Sequence, residues 1–548
     1  LGVLLALIGI PVLLVGAAAA VYVGPDDTVD LLDEFTTTDA PVISAGTTLW
    51  PVAGPTLHVT ADGGDAETFI GLAHPVHLDS YLADIPQLRI SDVNLRGKLT
   101  TDAVAGEPDA LPAVPPAGLD WWQEQAVGTG EQTISFELTE TPADIVIMRA
   151  EPAVPVDVVL SVAGEVRGLF VTAVAVAALG LFVIIGGLLL RRSGSRRRRR
   201  RRAARRSADP LVDDDDAPPD DPGRAMTARV VRVVGGAGVA ALALSGCAQL
   251  PQRIDTADPP DPLVSATQQQ AEQFLAEYTE VRNTALAAQD PEQLSTVESG
   301  TLLASSQFSI AAQVAHDEPP PEPSTVAADE LVAPQLASYP MWFIAADAPD
   351  NESGGLGYYL MTRPDAATSW HAAIRVDVPA GVDPPLSEAA DDVVSAADQA
   401  TAEQGSAVLE ALVGYAETGT APEGVDVTAA GDLADLHQQG FAIAGLPAGA
   451  QAETRTCSLA DPDAVHWLES DSGAVAMASI TCIQTIELAG GAFMTTPADG
   501  YGTIPANTQI TASSITQAVS FLVTVDDEGS ATVVGGSIRP TAMSHTPR

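Results

Sequence analysis

Two long apolar runs stand out in the distribution of hydrophobic and polar positions along the chain. Residues 1–23 carry no charge, and neither do residues 168–190. As an α-helix each run is about 34 Å long, which is enough to cross the hydrocarbon core of a bilayer. We therefore predict a transmembrane helix or signal anchor at 1–23 and a second transmembrane helix at 168–190.

Arginines border the second apolar run and indicate its orientation. Positive residues next to a membrane exit resist translocation and favour the anionic cytoplasmic leaflet. The eleven topology-determining residues are Arg191, Arg192, Arg196, Arg197, Arg198, Arg199, Arg200, Arg201, Arg202, Arg205 and Arg206. Residues 191–225, which end in an acidic, Pro-rich stretch predicted to be disordered, are therefore placed in the cytoplasm, and residues 24–167 outside. A nucleic-acid-binding arm is the alternative, which the position directly after a spanning helix disfavours.

Between the two apolar runs, the pattern changes to short alternating segments separated by Gly, Pro and Asp clusters. Such segments occupy residues 56–60, 68–72 and 132–138. Alternation over a few residues is typical of strands with one buried face, and many short strands favour a sandwich. Residues 24–167 are therefore predicted to form an extracellular all-β sandwich domain.

Two features of this domain resemble binding sites at first inspection. Trp121 and Trp122 are adjacent and would face opposite sides of a strand, so we predict packing rather than a carbohydrate platform. His74 and His77 have the spacing of two metal ligands, but no third ligand is nearby and Pro75 disfavours a helix. No metal site is predicted here.

Four stretches of this region carry a family resemblance. They are residues 68–72, 78–82, 120–122 and 144–148. Through them, residues 1 to about 190 resemble an uncharacterised family of actinobacterial membrane proteins with two helices. The resemblance implies a membrane location and no known activity.

A second N-terminal signal begins inside the chain at Met226. Arg229 and Arg232 are followed by an apolar segment of about a dozen residues, which is short for a membrane span and typical of a signal peptide. The next residues, Leu244, Ser245, Gly246 and Cys247, resemble the lipobox of bacterial lipoproteins. That resemblance implies cleavage before Cys247 and attachment of a diacylglycerol to its thiol. A third transmembrane helix with an incidental cysteine is the alternative.

Two coding units joined in one chain would explain why an apolar N-terminal run at 1–23 is followed by a second signal that begins at Met226. The chain begins with Leu rather than Met, so we expect its true start to be missing. Our hypothesis is a two-helix membrane protein that ends near residue 225 and a lipoprotein whose signal peptide occupies 226–246. In either form the Pro-rich and Asp-rich linker 247–262 and the residues beyond it are predicted to lie outside the cytoplasm.

The lipoprotein half alternates between helical and strand patterns. Helices are predicted from Ser265 or Thr267 to before Asp290, and over 406–418. Strands are predicted at 341–346, 356–362 and 370–378, and hairpins pair 466–468 with 474–480 and 520–525 with 531–534. This pattern predicts α+β structure in two halves, 263–385 and 386–548.

Cysteine usage suggests one disulfide in this half. With Cys247 assigned to lipid, Cys457 and Cys482 are the remaining pair in an exported, oxidising compartment. We therefore predict a bridge between them, with two buried free thiols as the alternative.

The charge balance limits the class of partner. The chain has 72 acidic and 26 basic residues and a formal charge of −46, which excludes nucleic acid as the partner of the whole chain. Lys98 is the one lysine, a bias that a GC-rich genome explains. Abundant arginine alone is therefore not evidence for phosphate binding.

Tight catalytic motifs are absent from the sequence, including a nucleophile elbow, a zinc-protease motif and a phosphate loop. The histidines of the lipoprotein half are scattered and are interpreted as structural or solvated. We therefore predict a membrane-anchored envelope protein without evident catalysis, cofactor or metal. Its expected partners are the lipid bilayer and either other envelope proteins or a cell-wall polymer. A cell-wall hydrolase that uses acidic residues is the alternative.

Overall fold

The computed structural model describes most of the chain outside the segment around the second signal. The described residues are 2–37, 41–50, 52–93, 99–107, 110–151, 156–206, 252–253, 262–327, 330–347, 355–382, 384, 386, 395–397, 399–428, 451–470, 473–489, 491–497, 500–526 and 528–548. They form two compact units, one of Leu1–Pro75 and Leu82–Pro259 and the other of Val76–Tyr81 and Pro260–Arg548. The signal-peptide segment 226–246, the linker up to 261 except residues 252–253, and the acidic stretch after Arg206 lie outside the described residues.

Six α-helices are present among the described residues. They are α1 (Gly2–Val23), α2 (Pro75–Tyr81), α3 (Leu169–Arg206), α4 (Gln268–Ala288), α5 (Gly300–Ala315) and α6 (Gln399–Thr418). Helices α1 and α3 contain segments long and apolar enough to cross a membrane, Leu4–Val23 and Leu169–Arg192. Only 11% and 17% of the residues in their apolar windows are buried by protein, whereas a core helix would be mostly buried.

Small residues let α1 and α3 pack closely. A Cβ added at Gly9 would lie 2.8 Å from the carbonyl oxygen of Gly180, and one added at Gly16 would collide with the backbone of Ala177. Helix packing in lipid depends on such close approach of backbones, because lipid and leucine side chains are equally apolar. The two helices therefore form a pair whose outer surface is apolar.

The second spanning helix is longer than predicted. We expected its end at Leu190, but α3 continues through the arginines to Arg206. Arginine has a high helix propensity, and cations are favourable near a helix C-terminus. At the other end, the Asp27 carboxylate accepts hydrogen bonds from the backbone N–H groups of Gly168 (2.8 Å) and Phe170 (2.6 Å), which caps the helix.

The part of the chain between α1 and α3 forms two main β-sheets. The strands of the first unit are β1 (Thr28–Thr37), β2 (Val42–Gly46), β3 (Val52–Ala53), β4 (Thr56–Asp62), β5 (Thr68–Ala73), β6 (Gln87–Val93), β7 (Leu99–Val104), β8 (Glu124–Gly128), β9 (Glu131–Glu137), β10 (Asp144–Arg149), β11 (Val158–Glu165) and β12 (Gln252–Arg253). One sheet has the order β1-β11-β4-β9 and the other β7-β6-β2-β10-β5-β8. Apolar side chains from both sheets, including Val59, Leu160, Ile43 and Ile145, line a gap between them.

The all-β prediction for this domain was wrong at one helix. Pro75 begins α2 rather than preventing it. At the first helical position proline loses nothing, because the N–H it lacks would have no intrahelical partner there. The tryptophans are packed as predicted: Trp121 is 4% exposed, and the indole N–H of Trp122 donates to the carbonyl oxygen of Pro116. The expectation that they face opposite sides of a strand is wrong, because they precede β8 and their ring centroids are 4.3 Å apart.

The C-terminal unit contains the remaining strands. They are β13 (Leu263–Val264), β14 (Glu330–Val332), β15 (Gln335–Leu336), β16 (Met341–Asp347), β17 (Leu356–Arg363), β18 (His371–Val378), β19 (Val425–Asp426), β20 (Gln451–Leu459), β21 (His466–Ser470), β22 (Gly473–Leu488), β23 (Met494–Thr495), β24 (Gln509–Asp526) and β25 (Ala531–Pro547). A four-stranded sheet has the order β14-β16-β17-β18. A larger sheet has the order β19-β25-β24-β22-β20, with β21 beside β22 and β23 beside β24.

Most predicted elements of this unit are present, with several differences. Helix α6 begins at Gln399 rather than at residue 406, and β20 was not predicted. Helix α4 begins at the predicted cap, where Thr267 and Gln270 form a reciprocal capping box. Helix α5 was not predicted, since its small and polar residues give a weak apolar stripe. The strands β22, β24 and β25 are also much longer than expected, because their polar positions alternate far beyond the apolar hairpin ends.

The two predicted halves pack into one unit. The hydroxyl of Ser537 in β25 donates to the backbone carbonyl of Arg375 in β18 at 3.0 Å, and Arg539 pairs with Asp377 at 2.7 Å. The edge strand of the small sheet therefore lies against a strand of the large sheet, and the polar residues of both strands meet.

The predicted disulfide is confirmed. Cys457 and Cys482 are directly opposite in the antiparallel pair β20–β22, with Cα atoms 4.1 Å apart, and they are bonded. Both are buried beneath α6, where Leu409 and Leu412 pack against the large sheet.

Candidate functional site

Three cavities in the two units differ in size and lining. The gap inside the β domain measures about 20 Å³, which is room for a single water molecule. In the C-terminal unit, one cavity of about 620 Å³ is lined mainly by apolar and hydroxyl residues. A second, of about 380 Å³, is lined by charged residues as well as apolar ones. Both are within the size range of ligand pockets.

This cavity, here called the arginine pocket, has two helical walls. Tyr278, Arg282 and Leu286 lie four residues apart on α4 and so share one face. On α5 the lining residues are Leu302, Ser305, Ser306, Phe308, Ser309 and Ala312. Spacings of three and four residues bring most of them onto a single helical stripe. The stripe carries three hydroxyl groups into the pocket wall.

The other walls come from strands of both sheets. Tyr359 in β17 is directly opposite Arg375 in β18, and the guanidinium carbon of Arg375 lies 5.3 Å from the Tyr359 ring centroid. Such cation–π stacking holds a guanidinium flat against the ring. Strand β25 contributes Ile538, Arg539 and Pro540. Two adjacent sheets thus place two arginines on one wall.

A single carboxylate bridges these two arginines. The Asp377 oxygens lie 3.0 Å from Nη2 of Arg375 and 2.7 Å from Nη2 of Arg539. The third arginine, Arg282, donates from Nη1 to the Ser324 hydroxyl at 3.3 Å. Among the described residues, the buried Nε atoms of Arg375 and Arg539 have no hydrogen-bond acceptor.

Burial shifts the ionisation of the groups around the pocket. Desolvation by burial, followed by the nearby Glu298, raises the pKa of Tyr278 well above its usual value, and burial raises that of Tyr359. Burial opposes the charge on Arg375, but Tyr359 and Asp377 outweigh it and raise the pKa of the guanidinium. The arginine therefore stays charged.

A buried carboxyl group, that of Glu298, lies behind the Tyr278 side of the pocket. It accepts a hydrogen bond from the Tyr278 hydroxyl at 3.0 Å, and burial raises its pKa despite the opposing effects of Ser306, Tyr278 and Arg282. Glu298 lies outside the lining of the pocket, and the described lining contains three arginines and no carboxylate.

The larger cavity has a different character. Its wall includes His466, whose ring stacks on Trp342 with centroids 5.2 Å apart and planes 7° apart. Burial lowers the pKa of His466 to about 4, and Asp461 partly opposes that effect. The ring is therefore neutral at physiological pH, and the cavity offers mainly hydroxyl groups and apolar surface, with Asp461 as the acidic residue of its lining.

Few of the predicted site residues line either cavity. The lipobox residues Leu244, Ser245, Gly246 and Cys247 lie outside the described part of the chain. The arginines from 191 to 206 continue α3, and neither disulfide cysteine lines the arginine pocket. Across the described ranges, no group of three or more His, Cys, Asp and Glu residues could hold a metal ion.

The pocket arginines were missed at the level of sequence. Residues 263–548 contain six arginines and no lysine, and Arg282, Arg375 and Arg539 are half of those arginines. One local signal existed: Arg375 and Asp377 alternate with buried Ile374, Val376 and Val378 within a strand, so both charges share a face. Nothing local indicated that Arg282 and Arg539, from distant parts of the chain, would join them.

Comparison with known families gives one match. Residues 263–544, just over half of the chain, match the family of a domain of unknown function (DUF8094). No curated protein and no solved structure matches the chain. The matched range includes both sheets of the C-terminal unit and the whole arginine pocket.

Proposed function

Since the chain belongs to the DUF8094 family, whose description names no activity, we propose from its structure that it is a membrane-anchored envelope protein with a ligand-binding C-terminal unit outside the cytoplasm. The observation that carries this proposal is the pair α1 and α3, two apolar helices that present unburied hydrophobic surface. An apolar surface of this size is costly in water and favourable in a bilayer.

The topology follows from the ends of the helix pair. The first and last main strands of the β domain, β1 and β11, pair from Thr28 opposite Glu165, so both helices leave the domain side by side. The arginines lie at the far end of α3. By the positive-inside rule that end is cytoplasmic, and the β domain is outside. The lipobox resemblance places the C-terminal unit outside as well, through a lipid on Cys247.

Two features of the C-terminal unit support a location outside the cytoplasm and a binding role. Disulfides persist in oxidising compartments, and Cys457 and Cys482 are bonded. The arginine pocket has a volume suitable for a small ligand and converging polar groups from three elements, which are the usual features of a binding site.

A second candidate function is hydrolysis by an acidic residue. Glu298 favours it, because a buried carboxyl with a raised pKa has the property that a general acid requires. Glu298 does not, however, line the arginine pocket, and Asp377 on the pocket side is paired with two arginines. Binding accounts for more of these residues than catalysis does.

Reporter fusions test the topology. Alkaline phosphatase is active only outside the cytoplasm, whereas green fluorescent protein fluoresces when it folds in the cytoplasm. Phosphatase fused after Arg167 or Arg548 should be active, and the fluorescent protein fused after Arg206 should fluoresce. Replacing the arginines from 191 to 206 with glutamine should weaken that orientation. An inactive phosphatase after Arg548 would overturn the external location of the C-terminal unit.

Lipid labelling tests the anchor separately. Labelled palmitate should enter the wild-type protein and the Cys457→Ala, Cys482→Ala double variant, and should be absent from Cys247→Ala. Label retained in Cys247→Ala would contradict lipidation at this residue. Mass spectrometry of the mature protein then decides between one polypeptide and two, since a peptide bridging residues 221–232 exists only in a single chain.

A further inference from the structure

We infer that the arginine pocket binds a phosphate monoester group carried by a small organic ligand. This inference names the ligand class for the binding role proposed above and rests on that role. The pocket is assigned from its residues alone, so it does not depend on the lipid anchor or on the orientation in the membrane.

The charge in the pocket matches a dianion. Three guanidinium groups, those of Arg282, Arg375 and Arg539, face one paired carboxylate, that of Asp377. The lining of the pocket, as far as the structure describes it, contains these three arginines and no Asp or Glu, and a phosphate monoester carries about two negative charges at neutral pH. The surrounding protein is strongly acidic, so the attraction must come from this cluster and not from the field of the whole chain.

The directions of the donors favour a tetrahedral group over a planar one. Arg282 comes from α4, whereas Arg375 in β18 and Arg539 in β25 share the strand wall, so the guanidinium groups approach the pocket from two walls and three elements. A carboxylate accepts hydrogen bonds in one plane, whereas a phosphate presents three terminal oxygens in different directions.

Hydrogen-bond donors of the arginines also favour an anionic oxygen. The contacts of Arg375 and Arg539 with Asp377 are made by Nη2 of each guanidinium. A guanidinium carries five N–H donors in a fixed planar arrangement. A phosphate oxygen can accept charge-assisted hydrogen bonds from donors of this kind, and such bonds are stronger than neutral ones.

The rest of the pocket indicates an organic substituent. A volume of about 380 Å³ is far larger than a phosphate group needs. Leu286, Leu294, Phe308, Ile538 and Pro540 line the remaining wall and are apolar. The ligand is thus expected to carry its phosphate at one end and an apolar or ring portion at the other.

Calorimetric titration of the full chain in detergent near neutral pH tests the inference with defined probes. Phenyl phosphate should bind, and phenyl sulfate, which has the same shape and one charge fewer, should bind at least about tenfold more weakly. Arg375→Gln and Arg539→Gln should each raise the Kd for phenyl phosphate at least about tenfold. Arg548→Gln removes the same charge at an exposed position over the Phe493 ring and should leave the Kd within about twofold.

A second variant separates loss of binding from loss of folding. Ala312→Phe adds bulk to the α5 wall without removing any charge, and it should weaken phenyl phosphate more than inorganic phosphate. Each variant is accepted only if the Cys457–Cys482 bond forms and the circular dichroism spectrum matches that of the wild type. Comparison of dioctanoyl phosphatidate with phenyl phosphate then distinguishes a lipid headgroup from a soluble ligand, according to which binds more tightly.

Several results would overturn the inference. One is that neither phenyl phosphate nor dioctanoyl phosphatidate binds; another is that phenyl sulfate binds as tightly as phenyl phosphate. Equal effects of Arg539→Gln and Arg548→Gln would show a non-specific charge effect and would also reject the site. Failure of binding would not alter the activity of the reporter fusions, and an inverted topology would not alter the titration results. The two proposals can therefore be rejected independently.

Discussion

The interiors of the outer β domain and of the C-terminal unit are built on different principles. Between the two sheets of the β domain, the gap is lined by apolar side chains and one serine, Ser44, and is only large enough for a water molecule. Between the two sheets of the C-terminal unit, Arg375, Asp377 and Arg539 meet at the wall of a much larger cavity. An apolar interior closes on itself, whereas charged groups need partners or solvent and keep a space open.

The difference shows where function can be sought. Apolar packing stabilises the β domain, and the described lining of its gap contains no charged group with which a ligand could pair. In the C-terminal unit, three arginines line a cavity that contains no carboxylate in its described lining. Such departures from apolar packing are a common property of binding sites.

A charge placed in the β-domain gap should be severely destabilising. Ile145 lines the gap and is 3% exposed. Ile145→Asp should lower the free energy of unfolding of this domain by about 4 kcal/mol or more, because the carboxyl has no partner there. Pulse proteolysis of the full chain in urea, with fragments from 28–165 identified by mass spectrometry, measures the effect. The control Ile145→Val should cost about 1 kcal/mol, and equal losses for both variants would contradict the contrast.

The C-terminal unit should depend strongly on its disulfide. Replacing Cys457 and Cys482 with alanine should lower the free energy of unfolding by about 3 kcal/mol, since the bridge closes a loop of 25 residues in the unfolded chain. Urea denaturation followed at the C-terminal unit measures this loss. A reductant should have the same effect on the wild type and no further effect on the double variant; a wild type insensitive to reductant would contradict the prediction.

A buried histidine should make the C-terminal unit sensitive to acid. The pKa of His466 is about 4 in the folded state and about 6.5 when exposed. Between these values the unfolded chain binds more protons, so His466 contributes full stability above about pH 6.5 and loses it as the pH falls towards 4. Between about pH 7.5 and pH 5 this loss amounts to about 2 kcal/mol.

His466→Phe isolates that contribution. Phenylalanine retains the ring that stacks on Trp342 and does not titrate. The wild type should therefore lose about 2 kcal/mol more than His466→Phe between these pH values. Only the difference between the two proteins is informative, because the raised pKa of Glu298 gives an opposite trend: its ionisation destabilises the fold as the pH rises above the usual carboxyl value. Parallel pH curves would contradict the prediction.

The smallest effect is expected where a charge is removed from the arginine pocket. Arg375→Met keeps an unbranched side chain against the Tyr359 ring, and Asp377 remains paired with Arg539. The free energy of unfolding should change by less than about 1 kcal/mol, since replacing a partly buried ion pair with an apolar group is often neutral or stabilising. Urea denaturation checks this, and a loss as large as that of Ile145→Asp would show that the arginine is structural.

Local chemistry determined much of the fold. The uncharged runs predicted both long helices, the Thr267 cap predicted the start of α4, and alternating residues predicted the hairpins around His466 and Ser520. Where the local pattern was weak, prediction failed. Helix α5 lacks a strong apolar stripe, and Pro75 can either end or begin a helix according to the chain that follows it.

By itself, then, the sequence determined the apolar helices, their arginine border, the strand periodicity and the one available cysteine pair, because each depends on residues close together in the chain or on simple counting. Only the tertiary structure decided that β18 and β25, more than 150 residues apart, lie side by side with their charged faces adjoining. Arg282, Arg375 and Arg539 are far apart in the sequence, so no local pattern predicts that they line one pocket. Side chains from distant segments come together only through the packing of sheets and helices.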